Sequence, residues 1–249
     1  MPFLSIVIPA YNEQQRLPAT LQAVWEYLEA RWPGGFEILV VDDGSSDSTA
    51  RVAEQFGRER PGVRLLRNPG NRGKGYSVRH GMLKAEGEWA LFTDADLSAP
   101  IQELDKLLEA AQREQAAVAI GSRGLDRSLI GVHQPRPREW AGRIFNLLVR
   151  LVVGLPFHDT QCGFKLFRRD AARAVFSRQQ IERFGFDVEI LFLAQRLGLK
   201  TIEVPVRWDH AEGTRVSLWR DSLNMFLDLV RVRRRWRRGL YREGSQAGH

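Results

Sequence analysis

Short apolar runs alternate with helix-like stretches through the first half of the chain, and this alternation restricts the fold more than any other feature. The runs predict strands at residues 4–8, 37–41, 63–66, 89–93 and 117–120. The stretches between them predict helices near residues 13–31, 48–58, 75–85 and 101–115. Repeated strand–helix–strand units build a mostly parallel sheet with helices on both faces. The sequence therefore predicts an α/β fold.

The basic charge of the chain is concentrated near its C-terminus. The 249 residues carry a net charge of +7, and six arginines lie within eight positions of one another. They are Arg231, Arg233, Arg234, Arg235, Arg237 and Arg238. Without them the net charge is about +1, so the basicity is a local patch. No run reaches the ~18 apolar residues of a membrane span, and we expect no signal peptide after Met1.

Two aspartates follow the fourth predicted strand. Asp94 and Asp96 are one residue apart at the end of the run that begins at Trp89. Alternate side chains of an extended segment point the same way, and open α/β sheets bind ligands beyond the carboxyl ends of their strands. Two oxygen donors there suit a Mg²⁺ ion that also takes substrate phosphates as ligands. A polar turn that caps the next helix is the alternative interpretation.

The ends of the first two predicted strands are polar as well. The first ends in Pro9-Ala-Tyr-Asn-Glu13 and lacks the Gly-x-Gly-x-x-Gly motif of dinucleotide-binding domains. The second ends in Asp42-Asp43 before Gly44, which permits a sharp turn, and before residues that can cap the next helix. Capping does not account for the acidic pair, and a carboxylate at this place can bind a ribose or a base.

A basic, glycine-rich loop follows the third predicted strand. It runs from Asn68 to Gly75 and contains Lys74 directly before a predicted helix. Backbone amides at a helix N-terminus, together with a lysine, can hold a diphosphate. The spacing differs from that of a P-loop, so a plain turn is the alternative interpretation.

Three of these motifs together resemble a known family. Ser5-Ile-Val-Ile-Pro-Ala-Tyr-Asn-Glu13, Val41-Asp-Asp-Gly-Ser-Ser-Asp47 and Asp94-Ala-Asp96 occur in this order at successive strand ends. They resemble the inverting family 2 glycosyltransferases. The resemblance implies a GT-A (Rossmann-like) fold with a mixed, mostly parallel sheet and helices on both faces. We expect a C-terminal amphipathic, basic helix in addition.

The second half of the chain narrows the resemblance to a subgroup. The motifs are Gly121-Ser-Arg123, Asp159-Thr-Gln-Cys-Gly-Phe-Lys-Leu-Phe167 and Glu182-Arg-Phe-Gly-Phe-Asp-Val-Glu189. They resemble dolichyl-phosphate glucosyltransferases and their polyprenyl-phosphate relatives. Many such relatives carry transmembrane helices beside this domain, whereas none is predicted here. Residues 180–184 approximate the Gln-x-x-Arg-Trp motif of polysaccharide synthases, but their setting fits the lipid-phosphate subgroup better.

We expect three groups of site residues and a Mg²⁺ or Mn²⁺ cofactor held by Asp96 and Asp94. The resemblance implies most of these residues, and Lys74, Arg123 and Arg138 are added for their charge. The group implied for catalysis is Asp94, Asp96, Arg123, Asp159, Gln161, Lys165, Asp187 and Glu189. The nucleotide-sugar group is Pro9, Ala10, Tyr11, Glu13, Asp43, Lys74, Asp94, Ala95, Asp96 and Arg215, the last in a loop expected to close on the diphosphate. Arg123 and Arg138 are the candidates for the acceptor phosphate, because a guanidinium matches phosphate geometry. Buried ion pairs or helix caps would explain several of these residues equally well.

The expected reaction moves a sugar from a nucleotide to a polyprenyl or dolichyl phosphate. A phosphate monoester is mostly ionised near neutral pH, since its second pKa is about 6, so the acceptor needs no strong general base. UDP-glucose is the donor favoured by the resemblance. GDP-mannose, UDP-linked amino sugars and a saccharide hydroxyl as acceptor remain alternatives.

The C-terminal segment is predicted to bind a membrane surface. We divide the chain into a catalytic domain, residues 1–215, and an amphipathic, arginine-rich segment, residues 216–249. Residues 140–154 are also apolar around most of a helix. Tryptophan, phenylalanine and leucine beside a polybasic segment suit the interface of an anionic bilayer. We expect a cytoplasmic enzyme, peripheral on the cytoplasmic face of the membrane. A helix packed on the domain, or a nucleic-acid-binding tail, is the alternative; we expect no nucleic-acid partner.

Overall fold

A computed structural model describes residues 1–132, 136–183, 185–210 and 218–241. Within these ranges, the side chains of residues 136–139, 141, 143 and 218–226 are not described. The strands are β1 (Leu4–Ala10), β2 (Phe36–Asp42), β3 (Val63–Arg67), β4 (Trp89–Thr93), β5 (Val118–Ser122), β6 (Ile130–Val132), β7 (Phe164–Arg168), β8 (Thr201–Pro205) and β9 (Trp208–Asp209). The helices are α1 (Leu17–Arg31), α2 (Thr49–Glu59), α3 (Lys74–Lys84), α4 (Glu103–Arg113), α5 (Arg136–Val153), α6 (Arg169–Phe176), α7 (Phe186–Arg196) and α8 (Leu218–Arg237).

Seven strands form one mixed sheet in the order β3-β2-β1-β4-β7-β5-β8. All neighbouring pairs are parallel except those that β7 makes with β4 and β5. β6 and β9 form a separate two-stranded parallel sheet. The predicted α/β fold with a mixed, mostly parallel sheet is therefore confirmed, and the first five strands lie where the apolar runs placed them.

Apolar side chains cover both faces of the sheet. In β1, Ile6 and Ile8 pack with α1 and α4 on one face, and Val7 packs with α3 and α7 on the other. Because alternate residues of a strand point to opposite faces, a strand covered by helices on both faces needs apolar residues at successive positions, as at Ile6, Val7 and Ile8. Two separate hydrophobic clusters result, one on each face.

The first helix begins later than the sequence pattern suggested. α1 starts at Leu17 rather than near residue 13, and Pro18 lies in its first turn. A proline is tolerated there because the first N–H groups of a helix have no intrahelical partner. The carbonyl of Glu13 accepts the N–H groups of Arg16 and Leu17, so residues 13–16 form a turn that keeps Glu13 at the end of β1.

The C-terminal helix α8 packs on the domain. Leu229, Val232 and Tyr241 are buried in the same cluster as the residues of α7, and the Arg233 side chain donates to the carbonyl of Val152 in α5. The predicted C-terminal helix is therefore confirmed, and its last turns belong to the hydrophobic core. No helix among the described residues is long and apolar enough to cross a membrane.

Candidate active site

Polar residues collect at one edge of the sheet. The carboxyl ends of the parallel strands β1, β2, β4 and β5 meet there. Because β7 is antiparallel, its amino end lies at the same edge, with Thr93 opposite Phe164. The segments that follow Thr93 and precede Phe164 are therefore neighbours. The sheet itself brings Asp94 and Asp96 close to the motif that begins at Asp159.

Asp43 organises the glycine-rich loop. One oxygen of its carboxylate accepts the side-chain amide of Asn68 at 2.8 Å and the N–H of Arg72 at 3.0 Å. The other accepts the N–H of Gly73 at 2.7 Å. The side chain is buried. Its described contacts shape the loop that ends at Lys74, and the nucleotide binding predicted for Asp43 stays a prediction.

Lys74 forms an ion pair with Asp94. Its ammonium nitrogen lies 2.5 Å from Asp94 Oδ1. Burial disfavours the charged ammonium, but Asp94, Asp187 and Asp96 together outweigh this and raise the pKa of Lys74. Gly163 makes room for the carboxylate, since a Cβ atom there would lie 2.2 Å from Asp94 Oδ2. Lys74 is therefore a permanent positive charge among three acidic side chains.

Arg123 and Asp159 form a second ion pair, at the end of β5. The guanidinium donates twice, from Nε at 2.6 Å and from Nη2 at 2.9 Å. Burial opposes ionisation of Asp159, but Arg123 and the backbone N–H of Gln161 lower the pKa of this carboxyl to about 2. Arg123 also lies over the ring of Trp208, 5.2 Å from its centroid. Asp159 thus fixes the position of Arg123, whose side chain is 24% exposed.

Lys165 and Asp187 form a third pair, inside the protein. The ammonium of Lys165 is fully buried and donates to Asp187 Oδ1 at 2.5 Å and to the carbonyl of Cys162 at 2.6 Å. Burial raises the pKa of Asp187, and the neighbouring Lys165 and Lys74 oppose the rise. Burial also raises the pKa of the Cys162 thiol to about 12. Cys162 is therefore a small buried side chain.

The sequence pattern of the family described as Glycosyl transferase family 2 matches residues 5–176, more than half of the chain. The chain is a family 2 glycosyltransferase. It is 40% identical over 261 residues to a dolichyl-phosphate beta-glucosyltransferase of Drosophila melanogaster, covering 97% of this chain and 78% of that protein. The mouse protein of the same name is 38% identical, with 96% and 77% covered. The Dictyostelium discoideum protein of that name is 34% identical, with 96% and 76% covered.

Solved structures agree with the fold of this glycosyltransferase. The glucosyl-3-phosphoglycerate synthase of Mycobacterium tuberculosis, crystallised with Mn²⁺, UDP-glucose and phosphoglyceric acid, superposes with a TM-score of 0.68. The match covers 93% of this chain and 79% of that one at 19% identity. A second mycobacterial protein gives a TM-score of 0.70 at 18% identity, with 93% and 74% covered. The resemblance inferred from the motifs is confirmed, and with it the GT-A-like fold.

The acidic residues after β4 suit a divalent cation held mainly by its substrate. Among the described residues, no group of three or more acidic, histidine or cysteine side chains could hold a metal on its own. Mg²⁺ is commonly held by one or two carboxylates together with substrate phosphates, and Asp94 and Asp96 provide such a pair. Asp96 Oδ1 accepts the N–H of Ser98 at 3.0 Å, and the hydroxyl of Thr20 donates to the carbonyl of Ala95 at 2.6 Å. Both bonds hold this turn in place.

The residues predicted at the end of β1 lie on the same edge. Pro9 and Ala10 end the strand, and Tyr11 is 38% exposed beside it. The carboxylate of Glu13 is paired with Arg16 through two hydrogen bonds of 2.8 and 2.9 Å, and the pair raises the pKa of Arg16. The nucleotide contacts predicted for these residues stay predictions.

Glu189 lies apart from this edge. It is fully buried and accepts the N–H groups of Gln180 and Ile181 and the hydroxyl of Tyr241. Asp187 and Glu189 were both expected near the sugar. Residues two apart on a helix do not face the same way, so α7 points Asp187 to β7 and Glu189 to residues 180–181. The catalytic role of Glu189 stays a prediction, and its described contacts are with backbone N–H groups and a tyrosine hydroxyl.

Two predicted basic residues lie outside what the structure describes. Arg215 falls between the described ranges, and Arg138 belongs to α5 without a described side chain. Three residues that shape the site were not assigned from sequence. Gly163 admits the Asp94 carboxylate, Asn68 supports Asp43, and Trp208 stacks on Arg123. Gly163 and Asn68 stood inside quoted motifs, and Trp208 begins the stretch that leads to Arg215.

Proposed function

We propose that this glycosyltransferase moves glucose, with inversion, from UDP-glucose to a polyprenyl or dolichyl phosphate, with Mg²⁺ or Mn²⁺ as cofactor. The observation that carries the proposal is the cluster of Lys74, Asp94 and Asp96 at the sheet edge. The similar proteins are dolichyl-phosphate beta-glucosyltransferases, which supports glucose as the sugar and a lipid phosphate as the acceptor. The related fold crystallised with Mn²⁺ and UDP-glucose supplies the cofactor and the nucleotide.

On the donor side, the chain must hold a diphosphate and stabilise it as it leaves. Lys74 carries a fixed positive charge at the N-terminus of α3, and the loop before it is shaped by Asp43. Anions bind well at such a helix end. A divalent cation on Asp96 and Asp94 would act as a Lewis acid for the leaving diphosphate. Pro9, Tyr11 and Glu13 would line the nucleotide at the end of β1.

On the acceptor side, the geometry suits a nucleophile that arrives already ionised. Asp159 is bound by Arg123 and Asp187 by Lys165, so neither carboxylate is placed to take a proton from a hydroxyl group. A phosphate monoester needs no such base, because its second pKa is about 6. Arg123 remains a candidate contact for the acceptor phosphate, because Asp159 holds its guanidinium group in place and the side chain is partly exposed. These pairs favour a lipid phosphate over a saccharide hydroxyl.

The exposed face of α5 supports binding to a membrane surface. Trp140, Ile144, Leu147 and Leu151 are 63%, 55%, 52% and 72% exposed. Their spacing of four, three and four residues places them along one side of the helix. The neighbouring α8 carries the exposed arginines Arg234, Arg237 and Arg238. We propose that α5 and the segment of residues 216–249 lie on the anionic cytoplasmic face of a membrane, where each arginine contributes ~1 kcal/mol.

A donor and acceptor screen tests the reaction. The purified full chain is incubated with labelled UDP-glucose or GDP-mannose, a polyprenyl phosphate, and Mg²⁺, Mn²⁺ or EDTA. We expect glucosyl lipid from UDP-glucose only, and none with EDTA. Formation of a mannosyl lipid from GDP-mannose would show that UDP-glucose is not the donor. Transfer of the sugar to a saccharide but not to the lipid would show that a lipid phosphate is not the acceptor.

A sedimentation assay tests the membrane proposal separately. Vesicles that contain phosphatidylserine should bind the protein, while neutral vesicles, RNA and double-stranded DNA should not. Binding to nucleic acid with no binding to anionic vesicles would contradict the proposal and favour the nucleic-acid alternative.

A further inference from the structure

We propose that Glu189 and Tyr241 are positioning residues for the donor, through which the C-terminal helix braces the loop that carries Lys74. The inference deepens the proposed function and rests on it for the identity of the donor. Glu189 is a buried carboxylate that has no part in the reaction proposed above. Glu189 is fully enclosed, and all of its hydrogen-bond donors come from residues 180–181 and from Tyr241, beyond α8.

The first step is the attachment of the chain end to α7. The Tyr241 hydroxyl donates to Glu189 Oε1 at 2.6 Å, and the Gln180 side chain donates to the carbonyl of Leu240 at 2.7 Å. Asp228 of α8 packs against the start of α7, since a Cβ atom on Gly185 would lie 2.3 Å from its carboxylate. A carboxylate is favourable at a helix N-terminus. Three separate contacts thus fix α8 and the residues after it to the first turn of α7 and to the connection that precedes it.

The second step leads from α7 to the connection before it. Glu189 Oε2 accepts the N–H of Ile181 at 2.8 Å and the N–H of Gln180 at 3.1 Å. Both donors belong to an irregular connection between α6 and α7, so no sheet or helix holds them. A buried backbone N–H must find a partner, and here the partner is the side chain that Tyr241 orients.

Residues of the same connection also form hydrogen bonds with the end of the glycine-rich loop and the first turn of α3. The buried side chain of Gln179 donates to the carbonyl of Gly75 at 2.9 Å, and the carbonyl of Glu182 accepts the N–H of Tyr76 at 3.0 Å. A Cβ atom on Gly73 would lie 2.6 Å from that same carbonyl. Residues 179–182 therefore pack directly on both sides of Lys74. Movement of this connection would displace the ammonium that faces Asp94.

Tyr241→Phe tests the inference because it removes one hydroxyl and little else. Tyr27→Phe is the matched control. The Tyr27 hydroxyl also donates to a carboxylate at 2.6 Å, that of Asp105, but it joins α1 to α4. We expect both variants to lower the melting temperature by similar amounts. Only Tyr241→Phe should raise the KM for UDP-glucose, by about three- to tenfold, the effect of one ordinary hydrogen bond, while kcat changes less than about twofold.

Hydrogen exchange provides a readout that does not depend on the donor. In Tyr241→Phe, peptides that cover residues 70–78 and 179–189 should exchange faster than in the wild type, and in Tyr27→Phe they should not. Unchanged exchange and an unchanged donor KM would overturn the inference. If the wild type transferred no glucose but the Tyr241→Phe variant still showed the expected faster exchange, the proposed donor would be refuted and the positioning role would remain.

Substitution of Glu189 separates positioning from a direct part in the reaction. Glutamine keeps an oxygen for the N–H groups of residues 180–181 and can still meet the Tyr241 hydroxyl, whereas alanine leaves all three donors unpaired. We expect Glu189→Gln to raise the donor KM less than Glu189→Ala. Equal abolition of kcat by both, with the donor KM unchanged, would make Glu189 a reacting carboxylate and overturn the positioning role.

Discussion

Gly163 is the position where one methyl group should disable the site without unfolding the protein. Its backbone lies outside the left-handed region that favours glycine, so alanine fits the local conformation. The added Cβ atom, however, would lie 2.2 Å from Asp94 Oδ2. Ordinary van der Waals contact begins at 3.4 Å, so the carboxylate must move by about 1.2 Å. In Gly163→Ala the Asp94–Lys74 pair is therefore displaced.

A misplacement of about 1 Å in a catalytic arrangement can reduce turnover by about 10²-fold, which corresponds to ~2.7 kcal/mol of transition-state stabilisation. We expect a loss of this size in kcat/KM, measured with labelled UDP-glucose and polyprenyl phosphate. Calorimetry should show weaker binding of UDP with Mn²⁺. The melting temperature should change little, since Asp94 can turn towards solvent.

Gly35→Ala is the control, because a Cβ atom there meets Trp32 at ordinary contact distance, 3.4 Å. It should keep the activity of the wild type. If Gly163→Ala also kept that activity and its UDP affinity, the position of Asp94 would not matter for the reaction, and the assignment of this edge as the active site would fail.

Three further predictions concern the metal, the pH dependence of stability and the membrane. Asp96→Ala should abolish transfer with either Mg²⁺ or Mn²⁺ while the melting temperature stays within a few degrees of the wild type; undiminished turnover would refute the metal assignment. The pKa of Asp159 is about 2, below its ordinary 3.8, so its ion pair with Arg123 stabilises the fold above pH ~4. We expect ~2 kcal/mol of the unfolding free energy to be lost between pH ~4 and ~2, a loss that urea titrations of Asp159→Asn should lack. Substitution of Leu147 and Leu151 by glutamate should weaken binding to phosphatidylserine vesicles by about tenfold or more, with UDP affinity as the unchanged reference.

The sequence predicts the fold well wherever one local rule dominates. Four of the first five strands, β1, β2, β4 and β5, are apolar runs buried on both faces of the sheet, so composition and position agree. β7 is different. Its sequence is noted only within a motif that resembles the family, and nothing local indicates that it enters the sheet antiparallel between β4 and β5.

The site is less predictable, because its charges are paired over long distances in the chain. Lys165 meets Asp187, 22 residues away, and Glu189 meets Tyr241, 52 residues away. Motifs indicate that such residues are important, but spacing alone does not distinguish a reacting carboxylate from one that is held in a structural ion pair or hydrogen bond. The predicted division of the chain near residue 215 also depends on contacts between residues that are distant in the sequence, since Tyr241 is buried in the core shared with α7.

The ion pairs at the sheet edge give its carboxylates different roles. A buried ion pair is often no more stabilising than apolar side chains of similar volume, because desolvation offsets its attraction, so we assign these pairs the role of fixing positions before the substrate arrives. Lys74 already balances much of the charge of Asp94. Among the described residues Asp96 makes no ion pair, and its turn is held by the N–H of Ser98. An incoming diphosphate would compete with Asp94 for Lys74, and an Asp94 released from this pair could serve as a second ligand for a divalent cation. Asp96 is therefore the residue we expect to hold the metal first, with Asp94 joining only when the donor is bound.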